Sequence, residues 1–526
     1  MYFRILLAVL SLSIAGWAGA TDYHVSPTGN DSNNGTSPGT AWRTLARAQQ
    51  VTQSMQAGDR ILFERGGTYP GTLHINANGT AANPLVFGAY GSGPKPVISG
   101  GVAVTNWTRH QGDIWRANVA GDVKYVMVGD QLMTLARYPN TGWLRNVQGS
   151  NTTLNAGNAL SQPSGHWNGA RVVVRATNWS FETPTVTGFS NGTLTFPSVG
   201  TNFSNGNWGF FLEGKLSELD SPGEWYHDAG AGRLYFWAPG GVDPNSVPVY
   251  ASVHDQGLVP GWQRRYIRIE NLTFQGQRAA GISTEVASHV TVTGCEFRHL
   301  YKGISSSGDN NTYSNNTFHN TFGTAINIYD SNTTVSGNTL TDCAVTPGQG
   351  ESWWGYMGIN ISGGEGNVVR GNRLENIGYI GIVGNKNTLI ERNVVKNATC
   401  ILNDGGGIAF DHADGMVVRD NIVTDLVGDL ETVATNHYAY YPINVGIYFG
   451  NTSIRNTLVE RNTAARCSWA GIHVDHTMVS SGNRVRDNVM FDNSVQLSLS
   501  DYSNQVGTGA VPPYHVPAYN TVYSGN

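Results

Sequence analysis

Charge is scarce in this chain: Asp, Glu, Lys and Arg make up 13% of its 526 residues, about half the share usual in soluble domains. Such a composition does not suit a mostly helical protein. Positive charge is not in surplus either, since 32 Lys and Arg face 37 Asp and Glu for a formal charge of −5. A general nucleic-acid binder needs a concentrated basic face, so that class is excluded. Cysteine is limited to Cys295, Cys343, Cys400 and Cys467. Four are too few for a disulfide scaffold and lack the close pairing of a zinc site, so they read as buried thiols. After the first 20 residues no stretch approaches the roughly 18 to 20 apolar residues of a spanning helix. No Pro-, Ser- or charge-rich run divides the chain as a linker would.

Glycine, asparagine and aromatics are plentiful: 66 Gly, 14 Trp and 23 Tyr. That many aromatics argue for a folded chain throughout. Arg4, the apolar run Ile5–Ala15 and Ala18-Gly19-Ala20 read as a signal peptide over residues 1–20, cleaved after Ala20. The expectation is a secreted or periplasmic protein, not embedded in a membrane.

From Tyr266 onward a short unit recurs: an alternating apolar segment, an Asn at a turn, a second apolar segment, then Gly-Ile and an alternating strand. The turn Asn series is Asn316, Asn338, Asn372, Asn393, Asn421, Asn462 and Asn488. The spacings suggest a base unit of about 21 residues with insertions in some units. Strands of four to six residues cannot close a core alone, so neighbouring units must stack. This predicts an all-β, right-handed parallel β-helix in which equivalent Asn side chains bond one above another at the strand repeat of about 4.7 Å. Upstream, Asp22–Gly101 reads as the first coils, with a helical patch at Trp42–Met55 capping the end. The repeat vanishes over residues 102–253, which read as an inserted β-rich domain, and resumes over 254–526. Asn520–Asn526 repeats the approach to a ladder Asn and stops there, so the last coil reads as unfinished and the chain as truncated at its C-terminus.

The opening Tyr23-His-Val-Ser-Pro-Thr-Gly-Asn-Asp-Ser-Asn-Asn-Gly-Thr, with Arg65-Gly-Gly-Thr-Tyr, resembles that of secreted parallel β-helix carbohydrate-active enzymes. Ala136-Arg-Tyr-Pro-Asn, Pro222-Gly-Glu-Trp-Tyr and Leu234-Tyr-Phe-Trp-Ala-Pro are similar to the inserted domain of some β-helix glycoside hydrolases, a fold shared with polysaccharide lyases. The resemblance implies a carbohydrate substrate.

Aligning the Gly-Ile strands puts Ile326, Ile359, Ile382, Ile408, Ile447, Ile472 and Leu497 in one inward column. The preceding Gly358, Gly381, Gly407, Gly446 and Gly471 would form an outward floor against which a sugar ring could lie, or simply a tight bend. A further outward column holds Asp411, Gly450 and Asp475, so two carboxylates share a face with an empty rung between them. Two facing carboxyls are the acid and base of glycoside hydrolysis. Asp411 and Asp475 are therefore the candidate catalytic pair, with Asp404 as a rival. Asp404-Gly-Gly also resembles a segment of some β-helix hydrolases, but its alternation parity differs from that of Asp411.

His412, His473, His476 and Tyr448 lie beside the pair as candidate substrate-binding residues. Inserted loops bring Glu351, Trp353, Trp354, Tyr356, Asp429, Glu431 and His437 toward the same edge, where aromatic faces and hydrogen-bonding groups suit a sugar. These features predict a glycoside hydrolase acting as a monomer on a polysaccharide or oligosaccharide, with no metal and no cofactor. A polysaccharide lyase is the alternative; it would call on Lys386 and on Ca²⁺, with Asp404, Asp411 and Asp414 as the conceivable ligands. A non-catalytic carbohydrate-binding solenoid is the third reading, and the fold also admits epimerases.

Overall fold

The computed structural model describes residues 19–201, 206–436, 440–450, 452–476, 480–501 and 521–526. Three long parallel sheets, of 14, 11 and 11 strands among the described residues, run side by side along the chain. Each turn of the chain contributes one short strand to each sheet. The protein is a right-handed parallel β-helix.

Register follows the apolar pattern. In the first sheet Tyr23, Ile61, Phe87, Ile269, Val292, Tyr313, Val335, Val369, Ile390, Val418, Val459, Val485 and Tyr523 stand opposite one another in successive strands. Most of this column is fully buried in one continuous core. In the sheet that carries the site, Ile326, Ile359, Ile382, Ile408, Ile447, Ile472 and Leu497 are aligned as the repeat predicts.

The Asn ladder is continuous from Asn316 to Asn526. The backbone N–H and the side-chain amide of each Asn both donate to the side-chain oxygen of the next, at 2.9–3.1 Å. Each amide also donates to a backbone carbonyl, such as that of Val369 for Asn393. Each ladder Asn thus has its amide and its backbone N–H satisfied, which is what allows these groups inside.

The glycine column is not a floor. A Cβ at Gly381 would sit 2.5 Å from the Gly407 carbonyl oxygen and 2.7 Å from Val395, and one at Gly407 would sit 2.2 Å from Val423. These glycines are buried where the preceding sheet's apolar side chains close over the strand. Gly358 and Gly381 stand at bends just before their strands, whereas Gly407, Gly446 and Gly471 lie within strands; all five are buried, so they offer no floor to a sugar.

One short α-helix, Leu45–Gln49, is capped by the Thr44 side chain, which accepts from the Arg47 N–H. Trp42, Leu45, Ala48 and Met55 join the solenoid core and close its first coils.

The chain leaves the solenoid after Val97–Ser99 and re-enters at Gln256–Pro260, and the stack is unbroken because Val97 pairs directly with Thr273. Gly101–Ala103 and Val249–Ser252 pair antiparallel at the neck. Between them lie mostly antiparallel sheets with their own apolar clusters. Two long solenoid loops brace this excursion. Val433 and Ala434 are buried with Trp208, Phe210 and Leu212, while Tyr356 and Met357 are buried with Val173, Phe181 and Phe211. A crevice is left between the excursion and the site sheet.

Candidate active site

The crevice holds a cavity of 220 Å³ walled by Trp179, Trp354, Tyr379 and Tyr448, with Asp404 and Asp411 among its lining side chains. Among the described residues that line it there is no Lys or Arg. Trp354 meets Tyr379 edge to face, with ring centroids 5.7 Å apart.

Asp411 follows the strand Gly405–Phe410, whose last residue pairs with Phe449. Its carboxyl therefore faces Gly450 on the next rung. A Cβ at Gly450 would collide with Asp411 Oδ1, so the Asp411 carboxyl occupies the space that a side chain on this rung would need. The Thr452 hydroxyl donates to Asp411 Oδ1 at 3.3 Å. Burial raises the pKa of Asp411, the Asp475 charge adds to the rise, and Thr452 and His412 oppose it.

Asp404 lies in the same cavity, a placement that strand alternation alone leaves open. Its φ of +61° puts it in the left-handed region. Alternation does not extend through such a residue, and Asp tolerates that conformation better than most. Its N–H donates to the Ile443 carbonyl at 2.7 Å, and its carbonyl accepts from the Tyr379 hydroxyl at 2.6 Å. The Tyr448 hydroxyl is 3.4 Å from its Oδ1. Burial, then the negative charge of Asp475, push the Asp404 carboxyl up to about 6.

Asp475, expected to share a face with Asp411, does not line the cavity. It is 2% exposed and its Oδ1 is 2.6 Å from Nε2 of His473, itself buried against Trp469 and Tyr448. Its charge acts on both Asp404 and Asp411. The expected pair Asp411 and Asp475 is thereby replaced at the cavity surface by Asp411 and Asp404.

The remaining candidates divide. Tyr448 and Trp354 line the cavity. Trp353 is half-exposed and packs beside Gly200 of the excursion, outside the lining. Tyr356 is buried, and its hydroxyl accepts from the Gly348 and Gly350 N–H groups, so it anchors its loop and cannot meet a substrate. Glu351 is an anchor too, bonded by the Thr324 and Tyr356 N–H groups and paired with Lys302 at 3.2 Å. Lys386 is exposed beyond the strand Ile382–Gly384 and does not line the cavity. His412 is exposed, with its N–H bonded to Thr452. His476 closes the strand Ala470–His476, but its side chain, like all of His437, lies outside the described residues. The conceivable calcium set is not gathered, because Asp414 is engaged by Asn456 at 2.8 Å and does not line the cavity.

The excursion contributes what the repeat could not reveal. Arg175, fully buried, donates to the carbonyls of Thr177, Asn178 and Ile401 and to the Thr432 hydroxyl. The Asn178 carbonyl in turn accepts from the Asn403 N–H at 2.8 Å. This cross-brace holds Trp179 over the cavity and fixes the turn that carries Asp404. Tyr379 had a legible signal, since it precedes Gly381-Ile382 and so falls one rung before Gly405.

Fold and site together define a parallel β-helix protein with an acidic, aromatic-walled cleft. A family model described as right handed beta helix region matches residues 280–430 and 352–508. A solved structure titled glycoside hydrolase superposes with a TM-score of 0.68 over 93% of this chain and 99% of that one, at 16% identity. The lacto-N-biosidase of Bifidobacterium longum is 36% identical over 107 residues, covering 19% of this chain and 6% of that protein. The uncharacterized protein YwoF of Bacillus subtilis is 34% identical over 115 residues, covering 20% of this chain and 23% of that one. The chain thus spans under a quarter of the length of either curated relative.

Proposed function

We propose that the protein is an exported glycoside hydrolase that cleaves a polysaccharide or oligosaccharide with Asp404 and Asp411 as its acid and base. The observation that carries this reading is the presence of two carboxyls with raised proton affinity in one aromatic-walled cavity. Asp404, held near 6, keeps its proton at mildly acidic pH and gives it to the departing glycosidic oxygen. Asp411, more open to solvent and supported by Thr452, serves as the carboxylate that acts on the opposite side of the anomeric carbon. Water supplies the hydroxyl that replaces the leaving sugar, and its second proton returns to the carboxyl pair. Asp475 is a positioning charge that helps hold the proton on Asp404. The glycoside hydrolase and lacto-N-biosidase named above favour the same chemistry by likeness.

Export rests on Arg4, the apolar run Ile5–Ala15 and Ala18-Gly19-Ala20. The reaction as written calls on protein carboxyls alone, so a chelator should leave the rate unchanged. A monomer suffices for it, because both carboxyls come from one chain.

The test is a panel of neutral and acidic glycans followed both for new reducing ends and for the ultraviolet absorbance of unsaturated uronates. Reducing ends without absorbance, abolished in Asp404→Asn and Asp411→Asn, is the expected result. Absorbance that survives both substitutions would assign the protein to the lyases instead.

A further inference from the structure

The column that holds Asp411 continues along the site sheet toward the earlier coils. Asp411, Asn385, Ser362 and Tyr329 occupy the same position on four successive rungs, each directly after a strand whose register is fixed by the pairs Phe410 with Gly384, Val383 with Asn360 and Ile361 with Ile328. None of the four is buried. At a rung spacing of about 4.8 Å, Tyr329 stands about 14 Å from Asp411, further than one sugar ring reaches.

Tyr329 is 57% exposed, and among the described residues its ring has no aromatic partner and its hydroxyl no hydrogen bond. A Cβ at Gly363 would lie 3.3 Å from the ring, so the glycine lets it settle against the neighbouring rung. On the same face Asn327 and Asn360 stand opposite each other. The Asn360 amide donates to Asn327 Oδ1 at 2.9 Å and to the Ser362 hydroxyl at 2.6 Å, and that hydroxyl donates to Asn327 Oδ1 at 3.0 Å. Both Asn residues are more than nine-tenths buried, yet Asn327 Nδ2 and Asn360 Oδ1 have no partner among the described residues, and both atoms reach the surface. A free donor and a free acceptor are thus fixed within a bonded trio, beside an open aromatic ring. Sugar hydroxyls and the C–H face of a sugar ring complete that arrangement.

We infer that Tyr329, with Asn327, Asn360 and Ser362, forms a distal sugar subsite, so that the bound glycan lies along the solenoid axis and extends beyond a disaccharide. The inference rests on the proposed hydrolysis for the nature of the ligand; it adds the direction of the chain and the means by which its length is read. Asn385, an uncharged amide on the rung between Ser362 and Asp411, makes the strip continuous with the cleft.

The experiment is calorimetric titration of the Asp404→Asn protein with the disaccharide and the hexasaccharide of cellulose, xylan, mannan, galactan and polygalacturonate. For the sugar that is bound, the hexasaccharide should bind at least tenfold more tightly than the disaccharide. Tyr329→Ala should bring the hexasaccharide down to the affinity of the disaccharide, and Tyr329→Phe should keep most of the gain. Thermal unfolding of each variant checks that the fold is intact. Hexasaccharides that bind no more tightly than disaccharides, or a hexasaccharide whose affinity survives Tyr329→Ala, would overturn the inference. Length-dependent binding through Tyr329 in a protein whose parent releases no reducing ends from any of these glycans would uphold the subsite and refute the hydrolase reading.

Discussion

Two sets of buried polar groups stand on the same coils and behave in opposite ways. Along one corner, the Asn ladder from Asn316 to Asn526 gives each amide and each turn N–H a partner on the next rung. In the site sheet, Asp404 and Asp411 are buried in a cavity that no Lys or Arg lines, and burial, with the Asp475 charge adding to it, makes their carboxyls hold their protons more tightly. Repetition satisfies the first set, and departure from repetition creates the second. Under the proposed function, stability lies where the rungs are alike, and chemistry where Asp411, Gly450 and Asp475 make successive rungs differ.

The largest expected effect separates the two sets most sharply. Asp404→Asn and Asp411→Asn should each lower kcat/KM on the order of 10³-fold on the substrate found by the glycan panel, with the protein still folded. A ladder substitution should do the reverse. Asn393→Ala removes the acceptor for both the Asn372 N–H and its amide, and should cost about 3 kcal/mol in denaturant unfolding with kcat unchanged below the transition.

Trp354→Ala should raise KM about tenfold with little change in kcat, by removing a wall of the cleft. An unchanged KM would place the sugar elsewhere. The same Asp404→Asn substitution should stabilise the fold by about 1 kcal/mol at neutral pH and by nothing near pH 4. The sign follows from the raised pKa: the native state binds the proton that the unfolded chain has released between about 4 and 6, so stability rises as pH falls through that window. The smallest effect is on the pH profile. The rate should fall as pH rises through about 6, and Asp475→Asn should move that limb to lower pH, since the Asp475 charge helps hold the proton on Asp404.

The solenoid was legible in the sequence because its two strongest signals, the Gly-Ile strands and the turn Asn, are local and repeat on every coil. The register they imply is the observed one, down to Ala409, Tyr448 and His473 standing opposite each other. Asp411 and its empty neighbour Gly450 were legible for the same reason. Asp404 could not be placed, because one left-handed residue resets the alternation on which the argument rests. The burial of the glycine column was also beyond a period-2 reading, since it is decided by side chains of the preceding sheet, such as Val395 and Val423, that close over it. Trp179 and Arg175 come from more than two hundred residues upstream and reach the cleft only through tertiary packing. Tyr356 shows the converse, an aromatic on the expected edge that the excursion's core absorbs.

The most direct measurement is a titration of the aspartate carboxyl carbons by NMR, comparing the parent protein with Asp404→Asn. The account predicts a signal with an apparent pKa near 6 that is absent from the variant. A spectrum in which every aspartate of the cleft titrates near 4 would contradict it, because Asp404 would then hold no proton to give.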